Sequence, residues 1–279
     1  MLTIFMPEPI TTVFVFCALM CEAKPLIKAW QLKKLSQPGM PFSIYTDGQR
    51  AVVISGIGKT AMAGAVGYTM ALFDVDTAPI LLNLGIAGHG GEPLGRFCVG
   101  HKITDSETGK VYYPQLPFSM TCPTYSITTQ AKPCIDYSTE TLFDMEASGF
   151  YELAVKLSSS ELIQVLKIVS DNSQTSMAAI DELVVEQWIT QKLDMFEDLL
   201  NRLSLLRQQL RPAETALHAQ LLGEFRFTVS GAIKLKALLQ RWQVLKGNEA
   251  MIWQNHQLNS GKDFLAWLEK QLDEAAFYL

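Results

Sequence analysis

The chain has 279 residues, of which 48% are apolar and 18% charged, and its formal net charge is −5. That length allows one large α/β domain, or a domain of about 180–200 residues plus an appendage. The composition excludes a globally disordered chain, and the acidic balance argues against nucleic acid as a partner of the whole chain.

Residues 10–20, ITTVFVFCALM, form the first apolar run. No Lys or Arg precedes it, Glu8 and two prolines interrupt the approach to it, and it is shorter than the roughly 20 apolar residues a membrane helix needs. Neither a signal peptide nor a membrane span is expected. Val13, Val15 and the two phenylalanines predict a buried first strand over 12–18. Residues 22–35 carry Leu26, Ile27, Trp30 and Leu35 at helical spacing. AVVIS (51–55) predicts a second strand, followed by SGIGK (55–59) and a helix of small residues. PILLNL (79–84) predicts a third, running into GIAGHGG, and 97–104 another; VLKIVS (165–170) is a late buried strand ending at Asp171. Strands alternating with helices predict an α/β fold with a largely parallel sheet covered on both faces.

After about residue 180 the pattern changes. Ile189, Leu193, Phe196, Leu200, Leu203 and Leu210 recur at helical steps, predicting one long amphipathic helix from Asp181 to Leu210, stopped by Arg211-Pro212. The remainder reads as mainly helical, broken near Gly223, Gly231, Gly247 and Gly261, with a last helix over 262–277. Between Arg202 and Lys246 there are eight Lys/Arg and two Asp/Glu. A solvated helical face explains this most simply; a partner or RNA surface is the other reading. The five cysteines, Cys17, Cys21, Cys98, Cys122 and Cys134, are irregularly spaced without a CxxC pair. They suggest buried reduced thiols of a cytoplasmic protein rather than a disulfide framework or a zinc knuckle.

In parallel α/β folds chemistry gathers at the carboxyl ends of strands. Glu22, just past the first strand, could orient or deprotonate a water, or simply answer a helix dipole as a first-turn acid. In SGIGK, Gly56 and Gly58 would let the backbone approach a ligand, with free N–H groups at a helix start; a plain tight turn fits equally. In NLGIAGHGG (83–91), four glycines after a buried strand point to backbone facing a ligand. His89 in that loop has no second His or Cys at a metal-binding spacing, so no metal site is expected. Met145 and Glu146 open a helix within LFDMEASGFYELA (142–154). Asp171, preceded by Ser170, ends a buried strand, where a carboxylate is costly unless paired or used. A general acid and a helix N-cap are both open there.

The pieces Ala18-x-x-x-Glu22, SGIGK, Asn83-x-Gly-x-Ala-Gly88, Asp144-Met-Glu-Ala147 and Ser170-Asp171, in this order, resemble the nucleoside phosphorylase superfamily. They look most like its hydrolytic branch, the methylthioadenosine/S-adenosylhomocysteine nucleosidases and futalosine hydrolases. The resemblance implies a three-layer αβα fold with a central mixed, mostly parallel twisted sheet, a catalytic domain over 1–205, and a helical C-terminal extension over 206–279. It implies that Glu22 activates water, Glu146 binds the ribose hydroxyls, Met145 packs on the sugar, and Asp171 serves purine N7 with Ser170 in support. Ala87, Gly88, Gly56 and Gly58 would line the substrate site. The substrate implied is a small-molecule nucleoside, the assembly a homo-oligomer, the cofactor none.

Two features depart from the family pattern. Ile86 stands where the hydrolases usually carry Ser. TTQAKPC (128–134) has no aromatic where the nucleosidases stack one on the base, leaving Tyr125 or Phe150 as substitutes. The polar stretch 104–114 reads as a surface loop, or as a loop at a subunit interface or the substrate's 5′ end. Water is the preferred nucleophile over phosphate. Asn83 stands where many phosphorylases carry Arg, only Arg50 and Arg96 precede residue 180, and Glu22 would repel an incoming dianion by several kcal/mol at about 4 Å. A phosphorylase using SGIGK and Lys59, and a non-catalytic nucleoside- or partner-binding protein using the extension, are the alternatives.

Overall fold

The computed structural model describes residues 11–36, 38–73, 78–134, 136–137, 140–176, 180–210, 216–247 and 249–276. The first apolar run forms β1 (Val13–Cys17), buried throughout. In chain order there follow α1 (Met20–Ala29), β2 (Lys33–Lys34), β3 (Ser43–Thr46), β4 (Arg50–Ile54), α2 (Lys59–Leu72), β5 (Ile80–Gly88), β6 (Phe97–Asp105), β7 (Val111–Tyr112), β8 (Thr124–Thr129), β9 (Leu142–Asp144), α3 (Ala147–Ala154) and β10 (Ile163–Asp171). The helices α4 (Glu182–Thr190), α5 (Leu193–Leu210), α6 (Ala216–Glu224), α7 (Val229–Lys246) and α8 (Gly261–Ala276) complete the described chain.

The strands alternate their side chains between two apolar layers, as a pleated sheet buried on both faces must. Val13, Val15 and Cys17 of β1 pack with Leu26 and Trp30 of α1, Val185 of α4, and Phe196, Leu200 and Leu203 of α5. Phe14 and Phe16 point the other way, onto Met62 and Val66 of α2 and Phe150 of α3. Helices therefore cover both faces of the sheet, in three layers.

Among the described residues ten strands join one sheet, in the order β10-β6-β8-β9-β5-β1-β4-β3-β2 with β7 beside β6. β1 lies between β4 and β5, parallel to both, and β5 is also parallel to β10. β2, β3 and β7 add antiparallel pairings. β5 is bonded to β1 only through Asn83, while its far end at Gly88 bonds Phe143 of β9. With β5–β10, β10–β6, β6–β8 and β8–β9 also paired, that end of the sheet curls back on itself.

Several expected boundaries move. α1 starts at Met20, because the Glu22 side chain accepts from two main-chain N–H groups ahead of it. It stops at Ala29, before Gln31 takes a left-handed φ of 54°, so 22–35 is not one helix and Lys33–Lys34 is a strand. The single helix expected over 181–210 is two, α4 and α5, parted by a turn at 191–192. Apolar residues continue across the turn against the same face, which is why periodicity did not reveal it. β5 extends through GIAG, which had been expected as loop. The stretch 104–114 holds the end of β6 and all of β7 rather than one loop.

The chain divides into two compact units, 1–210 and 211–279, and α5 runs continuously through residue 205 to Leu210. The second unit has its own core, including Leu221, Leu235, Trp253, Phe264 and Leu268. Within it, Lys234 and Arg241 of α7 pair with Glu269 and Asp273 of α8 at 2.7 and 3.2 Å, so part of the basic charge is matched locally. Among the described residues no helix is long and apolar enough to cross a membrane.

Candidate active site

The parting of β5 from β1 opens a cleft at the strand ends, with an empty volume of about 520 Å³, solvent mouth included. Its wall is assembled from distant stretches: Glu22 at the β1–α1 junction, Ile86 to Gly88 of β5, Met145 and Glu146 ahead of α3, and Ser170 and Asp171 at the end of β10. The three candidate carboxylates thus border one hollow. Gly56 and Gly58 are not among the lining residues, but Ile57 between them is.

Glu22 is 2% exposed. Its Oε2 accepts from the N–H groups of Ala18 and Leu19, both at 2.8 Å, and its Oε1 from that of Ile86 at 2.9 Å. Burial pushes its carboxyl above the ordinary range, against the pull of those donors and of Lys167. Each carboxylate oxygen has two acceptor sites, so Oε1 keeps one for a further donor.

Glu146 occupies the N-cap position of α3, and its Oε1 accepts from the Gly58 N–H at 2.9 Å. Gly58 has φ +103° and Gly56 φ +82°, a conformation that L side chains rarely adopt. SGIGK therefore bends back to tie the head of α2 to Glu146. Burial pushes the Glu146 carboxyl up to about 7, with Lys167 opposing and Asp144 adding to the rise.

Lys167, in the middle of β10, is fully buried. Its Nζ lies 2.8 Å from Asp144 Oδ2. Burial works to lower its pKa, but Asp144 and Glu146 outweigh it and hold the ammonium above its ordinary range. Asp144 is a hub: its Oδ1 accepts from Thr129 Oγ1 at 2.7 Å and its Oδ2 from the Ala147 N–H at 2.8 Å. A Cβ built on Gly85 would lie 3.1 Å from Glu22 Oε1 and 3.4 Å from Lys167 Nζ, so this ammonium and the Glu22 carboxylate face the same small space. Neither Lys167 nor Asp144 received a role from the sequence. The available signal was a lysine inside an apolar strand, which needs a buried counter-charge.

At the other end, Asp171 Oδ1 accepts from Ser170 Oγ at 2.5 Å, and Oδ2 accepts from the hydroxyl of Tyr137. Tyr137 lies just past 128–134, and nothing local in the sequence marks its meeting with Asp171. The two substitutes proposed instead are engaged elsewhere. Phe150 is fully buried against Phe16, and Tyr125 donates to Glu92 and packs on His89. Gly88 borders the cleft, yet a Cβ there would lie 2.6 Å from Asp171 Oδ2 and 2.8 Å from Tyr137 Cε1.

Lys59 does not face the cleft as a free cation. It is paired with Asp105 at 2.8 Å and Glu107 at 2.5 Å, and these contacts raise its pKa. Among the described residues no Lys or Arg lines the cleft. Asn83 donates from Nδ2 to the Phe16 carbonyl at 3.1 Å and is not among the lining residues. His89 Nδ1 accepts from the N–H groups of Gly91 and Glu92, both at 3.1 Å. Among the described residues no group of three or more His, Cys, Asp or Glu side chains is placed to hold a metal ion.

No family model matches the chain, and no curated protein matches it in sequence. Solved structures do. The native structure of futalosine hydrolase of Helicobacter pylori strain 26695 superposes with a TM-score of 0.53 at 12% identity, over 69% of this chain and 99% of that one. The apo structure of 5′-methylthioadenosine nucleosidase from Arabidopsis thaliana gives 0.51 at 17%, over 70% and 96%. The S. pneumoniae 5′-methylthioadenosine/S-adenosylhomocysteine nucleosidase, solved with the transition-state inhibitor MT-ImmA, gives 0.52 at 15%, over 66% and 96%. At such identities the likeness establishes the fold.

Proposed function

We propose that this chain is a nucleosidase, hydrolysing the N-glycosidic bond of a purine or related nucleoside. The observation that carries the reading is the convergence of Glu22, Glu146 and Asp171 on one cleft. As the C1′–N bond breaks, its electron pair leaves with the base, and Asp171 supplies a proton or hydrogen bond to the base nitrogen. Positive charge develops on the sugar, as in glycoside hydrolysis, and the carboxylates of Glu22 and Glu146 favour it. The acceptor site remaining on Glu22 Oε1 holds a water. Its oxygen bonds to C1′ while its proton passes to Glu22. Glu146 binds the ribose hydroxyls, Met145 packs on the sugar and Ser170 supports Asp171. Ile86 contributes its main-chain N–H to Glu22, so a serine side chain is not needed for that contact.

The surroundings favour water over phosphate. Lys59 is paired with two carboxylates, and among the described residues the cleft wall offers a dianion Glu22 and Glu146 but no lysine or arginine. The test is a panel of nucleosides incubated with and without phosphate. Free base and free sugar, formed at a rate indifferent to phosphate, are expected. Sugar 1-phosphate formed only with phosphate would make the chain a phosphorylase, and tight binding without base release would make it a non-catalytic binder.

A further inference from the structure

We propose, on the basis of the nucleosidase reading, that Tyr137 is a positioning residue for Asp171, holding its carboxyl group in register with the leaving base. The rotation of a carboxyl group about its last bond is soft, so one anchored oxygen leaves the other free to swing. Here both oxygens are anchored by hydroxyl groups, Oδ1 by Ser170 and Oδ2 by Tyr137. The phenol is itself fixed. Its ring meets Phe143, a cleft residue, edge-on with centroids 6.0 Å apart. It passes over Gly88, where a Cβ would sit 3.0 Å from the hydroxyl oxygen, and the Tyr137 carbonyl oxygen lies 2.8 Å from where a Cβ on Gly90 would be. Two glycines of GIAGHGG thus give Tyr137 its place. Burial first, then its hydrogen bond to Asp171, push the phenol pKa up, so it stays a donor at working pH. In the reaction the electron pair of the C1′–N bond and the proton of Asp171 both go to the base. Tyr137 keeps its own proton and donates to the carboxylate left behind.

Tyr137→Phe keeps the ring and removes the donor. Its kcat and KM are compared with those of the native protein on a purine nucleoside and on p-nitrophenyl riboside, whose leaving group departs without a proton. The expected result is a fall in kcat on the nucleoside of about 10–100-fold, the scale of one hydrogen bond to a charged group, with KM held within about twofold. The loss on the nitrophenyl riboside is smaller by at least about tenfold, and Asp171→Asn shows the same selectivity. Tyr137→His, which returns a ring-borne donor, recovers part of the nucleoside rate. Equal losses on both substrates, a change confined to KM, or no recovery with histidine overturn the role of Tyr137 and leave the nucleosidase reading standing. A native protein that cleaves no nucleoside overturns that reading, and this inference with it.

Discussion

Glu146 changes charge close to neutral pH, because burial lifts its carboxyl to about 7. On the proposed reading, its ionised form accepts from ribose hydroxyls and favours a cationic sugar. kcat/KM is therefore expected to fall as pH drops through about 7, and Glu146→Gln to remove that limb while lowering the plateau. Stability follows the same shift. The folded protein keeps a proton on Glu146 that the unfolded chain releases near 4.5, so conformational stability falls as pH rises from about 4.5 to about 7. Glu22, also raised by burial, acts in the same direction. Urea denaturation across this range checks the slope, which is shallower in Glu146→Gln. Lys167 is the countercharge. Lys167→Met leaves Asp144 buried without its ion pair and is expected to cost about 3–5 kcal/mol, read from the same urea curves. Asp171→Asn is expected to slow cleavage by about 10²–10⁴-fold.

At the scale of elements, α3 starts at the cleft, directly after Glu146, and α2 meets it closely. A Cβ on Gly149 of α3 would lie 2.7 Å from the main-chain carbonyl carbon of Lys59 at the head of α2. Gly149→Ala is expected to destabilise by about 1–3 kcal/mol and to weaken the Gly58–Glu146 tie, visible as a lowered Tm and a raised KM. What could be read from the chain follows the physics of each signal. Apolar runs located β1, β4, β5, β6 and β10 to within a few residues, and the carboxylates just past the strand ends border the cleft. Side-chain periodicity cannot see a turn that keeps the same face inward, so the break between α4 and α5 stayed hidden. Nor does it carry strand order, and hence neither the curling of β5 onto β9 nor the neighbours of Lys167. Tyr137 was illegible for the same reason: its meeting with Asp171 is long-range, and nothing local marks it.

For the whole molecule, every described residue that lines the cleft belongs to the unit 1–210, while 211–279 packs its own core. Leu268→Ala, in the second core, is expected to lower that unit's stability by about 2–5 kcal/mol without altering base release, as thermal unfolding and a nucleoside assay would register. The central claim is that, around one hollow, Glu22 delivers water to a nucleoside's anomeric carbon while Glu146 holds the sugar and Asp171 serves the leaving base. Its most direct test is turnover of a purine nucleoside in oxygen-18-labelled water without phosphate. The expected result is free sugar carrying one labelled oxygen at C1, trapped by borohydride reduction as it forms, before its anomeric oxygen exchanges with solvent, produced by the native protein and strongly diminished in Glu22→Gln and Asp171→Asn. Unlabelled sugar phosphate appearing only when phosphate is added, or label incorporation undiminished in both variants, would contradict it.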